Sequence, residues 1–274
     1  MPTTDEFEQR PAIRTARDFA TFNAYLFPDL NVLKATYYNS PGTGEQPDES
    51  VVVENPTGVE NIILIHPEQS RGAGQLRIRF MGSRNIVVIG QNSLVRGLVR
   101  MHADDCATVL AGDNKQPAIF NITHWSKGTT TFIGRETTSN GSQLVLMGQG
   151  ASILIGEDCM FSTGIWVKTS DMHAIVDLAS GEMINSDGTN ARVQIGTHAW
   201  IGQNALVVQS LSIGAGAILG ANSFLNRSIP DCALFAGTPA RQLREGVTWL
   251  RSHRLVSDEL EVVRNRLGYR AANE

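Results

Sequence analysis

Histidine 173 stands where a six-residue repeat breaks off. Counting in sixes from Ile155 passes through Phe161 and Val167 and lands on His173, and the repeat resumes only at Ile195. The intervening residues 174–190, from Ala174-Ile175-Val176-Asp177 to Asp187-Gly188-Thr189-Asn190, are too many for a turn and too polar at their end for core. Neutral imidazole suits removal of a proton from a weak acid as that acid attacks, so a histidine opening a projecting loop is a candidate general base. Its alternative is an ordinary loop histidine with satisfied hydrogen bonds. The other histidines carry less: His198 reads as a turn residue of a regular coil, and His66, His102, His124 and His253 sit beside turns or in the terminal segment. Three widely spaced cysteines, Cys106, Cys159 and Cys232, form neither a disulfide framework nor a zinc-type pair and suit a reducing compartment.

The scaffold that must position His173 announces itself in Ile195-Gly196, Ile201-Gly202, Val207, Ile213-Gly214, Leu219-Gly220 and Leu225, an aliphatic residue returning at every sixth position. That period fits no helix and no one-sided strand. It fits a parallel β-helix in which three short strands per turn each send one aliphatic side chain inside, with glycine easing the corners. Raggeder segments such as Ile62-Ile63-Leu64-Ile65, Ile86-Val87-Val88-Ile89 and Ile153-Leu154-Ile155 extend the solenoid toward the N-terminus. The expected organisation is an N-terminal cap and loop over residues 1–54, the solenoid over 55–237, and a helical tail over 238–274. The loop is expected at Ser40-Pro41-Gly42-Thr43-Gly44; helices are expected over 247–254 and 257–267, with Ser257 as an N-cap, closing the end of the solenoid.

Composition narrows the function classes. The 274 residues carry a formal net charge of −4 and no dense basic run, which argues against nucleic acid as a partner. Charged residues make up only 18%, low for a soluble domain, which suggests surface buried between subunits. An acidic start and no long apolar run predict neither a secretory signal nor a membrane span, hence a cytoplasmic protein.

The segment Ser170-Asp171-Met172-His173, with Asp177, Gly181, Glu182 and Asn185 after it, resembles the catalytic-histidine loop of the hexapeptide-repeat acyltransferases. The likeness is to their sugar and polysaccharide O-acetyltransferase branch. His198-Ala199-Trp200-Ile201-Gly202 is similar to the following coil of that family. The run from Gly220 to Pro230 resembles its last coil, and Ala236-Gly237-Thr238-Pro239-Ala240-Arg241-Gln242-Leu243-Arg244 its exit segment. This resemblance implies a left-handed parallel β-helix, a homotrimer with its active site in the cleft between subunits, and acetyl-CoA as acyl donor lying along the coils. It implies catalysis by His173, with Trp200 against the thioester or pantetheine arm, and cofactor contacts from Gln203, Ala221, Asn226, Arg227, Arg241 and Arg244. The alternative for Trp200 is packing at a subunit interface, and surface arginines are usually only solvated. Thr238 replaces the asparagine usual in the exit segment, and Arg227 and Arg241 stand where lysine is common, which keeps the charge a phosphate needs.

The expected reaction is acetyl transfer to a saccharide hydroxyl, with a metal-free site. Alternatives are N-acetylation of a nucleotide-linked amino sugar, acetylation of a small xenobiotic hydroxyl, a hydratase resembling gamma-type carbonic anhydrases, and a non-catalytic scaffold. The hydratase needs a third histidine beside His173 and His198, for which His124 is the candidate. His124-Trp125 falls in residues 117–128, which read as an inserted loop with an exposed aromatic able to stack on a sugar ring.

Overall fold

A computed structural model describes residues 4–25, 27–39, 46–47, 49–54, 56–68 and 75–269; the loop expected at Ser40 to Gly44 lies outside the described residues. The fold is a left-handed parallel β-helix. Residues six apart do stack inside: Ile195, Ile201, Val207, Ile213, Leu219 and Leu225 are each at most 1% exposed. Parallel register aligns them coil on coil into columns, one of which runs Val53, Ile78, Val99, Ile122, Leu144, Val167, Val207, Leu225. Burying an aliphatic side chain of this size is worth about 1.5–3 kcal/mol, so the columns supply the main driving force of the fold.

The eight-stranded sheet runs from Lys34–Tyr38 through Asn61–Ile65, Ile86–Ile89, Ala107–Leu110, Thr130–Ile133, Ser152–Ile155 and Arg192–Ile195 to Leu211–Ile213. Four aliphatic residues in succession, as in Ile86–Ile89, mean burial on both faces. Val87 and Ile89 point into the solenoid, while Ile86 and Val88 belong to a second core formed with the N-terminal helix Pro11–Phe22. That helix presents Ala12, Ile13, Ala16, Phe19 and Ala20 at helical spacing, and Phe19 packs edge-on against Phe132 at 5.6 Å. The N-terminal segment therefore lies along a flank of the solenoid.

Both edges of the parallel stack end in antiparallel strands. Lys34–Tyr38 pairs with Asn61–Ile65 at the first edge, and Ala240–Glu245 with Ala233–Gly237 at the last. A strand can meet the open backbone donors and acceptors of a sheet edge, which a helix cannot, so the helical closure expected from the sequence is corrected here. Residues 247–254 are extended and bent, held by contacts described below. The second expected helix exists as Ser257–Arg266, but Val256 is its N-cap and makes no side-chain cap bond, so Ser257 is its first residue. Residues 117–128 are likewise no inserted loop, since Ala118–His124 is a full strand of the solenoid with Ile122 in its core column. No described helix is long and apolar enough to cross a membrane.

Candidate functional site

The loop bearing His173 leaves the solenoid after the strand Ile165–Lys168. Its root is fixed to the preceding coil: the Thr169 hydroxyl donates to the Met147 carbonyl at 2.8 Å and accepts from the Met147 N–H at 2.9 Å. A Cβ built on Gly148 would collide with the Gly188 carbonyl, so the two ends of the excursion return to one tight crossing that only glycine permits at Gly148, whose φ is +101°. The Met172 N–H bonds the Ser170 hydroxyl at 3.0 Å as the chain turns outward, and Met172 adopts φ +71°. His173 follows with its side chain exposed.

Asn185 holds this turn in shape from across the loop. Its side-chain amide donates to the His173 carbonyl at 2.9 Å and to the Asp171 carboxylate at 3.2 Å, and its oxygen accepts from the Ile175 N–H at 2.8 Å. Beyond it Val176 and Met183 pair antiparallel, and the Asp177 carboxylate caps the tip by accepting from the N–H groups of Ser180 at 2.8 Å and Ala179 at 2.9 Å. These bonds, led by Ser180, keep Asp177 ionised below the usual carboxylate range. The loop is thus a small hairpin with its own polar framework, and Ile175, Val176, Leu178, Met183 and Ile184 remain exposed on it.

Parallel register fixes what lies above and below His173 on the same corner. The residue under Thr169 is Gln209, whose amide reaches Asp171 at 3.3 Å, and one coil further on the register brings Asn226 and Arg227, both exposed. Arg227 makes no ion pair with any described residue. Trp200, Gln203 and Ala221 occupy a different part of the coil. Trp200 lies on the second strand, Trp200–Ile201, and Gln203 and Ala221 lie on stacked turns after it. The exit segment joins this second group, since the Thr238 hydroxyl donates to the Asn222 carbonyl at 3.1 Å and the Gly237 N–H to the Ser223 hydroxyl at 3.0 Å. Arg241 and Arg244 stand exposed on the closing strand beside it. One chain therefore groups His173 with Asn226 and Arg227, and groups Trp200 with Gln203, Ala221 and the exit arginines, without uniting the two sets.

Trp200 is braced by a cluster that sequence reasoning missed. His198 is buried, contrary to its reading as an ordinary turn residue. Its Nδ1 lies 2.7 Å from the Asp158 carboxylate and its Nε2 2.9 Å from the Trp249 carbonyl, while the Trp249 indole N–H donates back to the His198 carbonyl at 2.7 Å. Both ring nitrogens thus face oxygen atoms, one on the coil and one on the C-terminal segment. The imidazole and indole stack at 4.3 Å and 4°, and Trp249 in turn lies 6.2 Å from Trp200. Burial alone would raise the Asp158 pKa, but His198, Arg251 and Arg266 outweigh it and hold the carboxyl below its ordinary value. The signal lay in tryptophan and arginine within residues 247–254, whose partners are some ninety positions away for Arg251 and Asp158.

His124 is also buried, inside the solenoid, with its ring nitrogens 2.9 Å from the Thr108 hydroxyl and 2.8 Å from that of Thr129. Burial drives its pKa down to about 3, so it is a neutral structural group. Among the described residues no three His, Cys, Asp or Glu side chains gather as metal ligands, and His124 does not join His173 and His198.

Comparison with known proteins fits this geometry. A polysialic acid O-acetyltransferase from Neisseria meningitidis is 29% identical over 153 residues, covering 56% of this chain and 67% of that protein. One from Escherichia coli O1:K1 is 28% identical over 136 residues, 49% of this chain and 43% of that protein. The crystal structure of a polySia-specific acetyltransferase superposes with a TM-score of 0.67 at 24% identity over 78% of this chain and 96% of the other. The chain is similar in sequence to polysialic acid O-acetyltransferases and shares the fold of that structure. No family model matches it.

Proposed function

We propose that the protein transfers the acetyl group of acetyl-CoA to a hydroxyl of a saccharide, with His173 as general base. The observation that carries this reading is the placement of His173 at the head of a braced loop whose root stands on the same corner as Asn226 and Arg227, with Gln209 on the coil between. An exposed imidazole takes the proton of the acceptor O–H as its oxygen attacks the thioester carbonyl. The tetrahedral intermediate collapses with loss of the CoA thiolate, which receives that proton from the imidazolium. The donor is long and ends in phosphates, and the exposed guanidinium groups of Arg227, Arg241 and Arg244, with Gln203, Ala221 and Asn226, suit such a molecule laid along the coils. Trp200, held by Trp249, offers an indole face for the pantetheine arm.

Because the two groups of residues stand on different parts of one chain, a complete site requires a second copy, in which the His173 corner of one protomer meets the Trp200 face of the next. A closed ring of three such heterologous contacts is the homotrimer this reading entails. The relatives act on polysialic acid, which favours oxygen over nitrogen as the acceptor atom. Three free cysteines suit a cytoplasmic setting. Calorimetric titration with acetyl-CoA tests the reading: saturable binding is expected, weakened about tenfold in Arg227→Ala by loss of a phosphate contact, and the absence of binding by the wild-type protein contradicts it.

A further inference from the structure

Beyond the His173 loop, on its N-terminal side, the same corner carries residues for which acetyl-CoA has no use. Strand register stacks Met81, His102, Trp125 and Met147 one above another on successive coils, and Met147 is the residue to which the root of the loop is bonded. His102 and Trp125 stack face to face at 3.8 Å and 17°, leaving Trp125 42% exposed. Burial, and then Arg100, lower the His102 pKa, which keeps the stacked ring neutral. Arg100 lies two residues before His102, hence on the same outer face, beside the stack. One coil earlier Arg79 is neutralised by Glu54, whereas Arg100 forms no ion pair with any described residue. The result is an apolar ridge with a free cation at its side, leading straight to the loop.

Building on the reading above, we propose that His102, Trp125 and Arg100 form an acceptor subsite for an acidic saccharide chain that runs along the solenoid axis to His173. The apolar faces of the sugar rings lie against the ridge, and Arg100 meets a carboxylate of the chain. Trp125 is two strand spacings from the root of the loop at Ser170, about 10 Å, so the sugar it holds is a few units away from the one acetylated. The donor residues Asn226 and Arg227 lie on the opposite side of the loop, so donor and acceptor approach His173 from the two ends of the corner.

The test is equilibrium binding of polysialic acid of fixed length at low salt, without acetyl-CoA, to the wild-type protein and to Trp125→Ala and Arg100→Ala, with dextran as the neutral control. The wild type is expected to bind polysialic acid and not dextran. Each variant should bind it about tenfold more weakly, with Arg100→Ala also losing part of the salt dependence. Acetyl-CoA affinity and oligomeric mass should be unchanged in both variants, which shows that they fold. Wild-type binding to dextran as tight as to the polyanion, no binding to the polyanion, or variants that bind like the wild type overturn the subsite. So does a change of oligomeric mass in Trp125→Ala, which would make the ridge a contact between copies. Loss of this subsite with acetyl-CoA binding intact leaves the transferase reading standing, whereas failure to bind acetyl-CoA removes that reading.

Discussion

At the scale of single residues, the two conspicuous histidines do opposite work. His173 is exposed and opens a loop, while His198 is buried, with Nδ1 against Asp158 and Nε2 against the Trp249 carbonyl of the C-terminal segment that crosses the face carrying Trp200. Asp158 joins that clamp, and because its folded pKa is depressed, its contribution is fully present above the ordinary carboxylate pKa of about 4 and is lost as pH falls through the lower folded value. Acidification should therefore free Arg251, which lies over the Trp249 ring, from Asp158, seen as a change in tryptophan emission below about pH 4, before the solenoid unfolds. Asp158→Asn should lose about 2–3 kcal/mol, less than a fully dry ion pair because both arginines are about one-third exposed. Its emission should no longer respond to acid in that window; an unchanged acid transition in the variant would assign the effect elsewhere. Sequence spacing picked out His173 because a broken repeat is visible locally. It could not reveal the His198 clamp, whose partners Asp158 and Trp249 are distant in the chain and meet only when the coils stack.

At the scale of elements, Asn185 is a positioning residue that acts on His173 through the backbone. Removing its amide deletes bonds to the His173 carbonyl, the Asp171 carboxylate and the Ile175 N–H. Asn185→Ala should lower kcat about tenfold through misplacement of the base, with acetyl-CoA affinity unchanged. Equal loss of donor affinity would mean that the loop also shapes the donor path. The regular coils were legible because each inward position repeats the same demand for an aliphatic side chain. The ends were not: an edge strand such as Ala240–Glu245, with only Ala240 buried, carries almost no hydrophobic pattern, and its place is dictated by backbone groups that need partners. The same limit applies to residues 117–128, where Asn121 and Thr123 face outward between core residues and a strand passed for a polar loop.

At the scale of the whole molecule, the proposed mechanism has the solenoid separate two halves of a site that a neighbouring copy joins. In a mixture of His173→Ala and Trp200→Ala chains reassembled at equal amounts, each inactive alone, about a quarter of the clefts should contain both native residues. Recovery of that share of activity supports a shared site; no recovery places both residues within one protomer's own site. The central claim is most directly tested by following the label from acetyl-labelled acetyl-CoA onto polysialic acid with the wild-type protein and His173→Ala. An acetyl ester on the saccharide, formed about 10² or more times slower by the variant at unchanged acetyl-CoA affinity, is the predicted result. Transfer at equal rates by both proteins would contradict it.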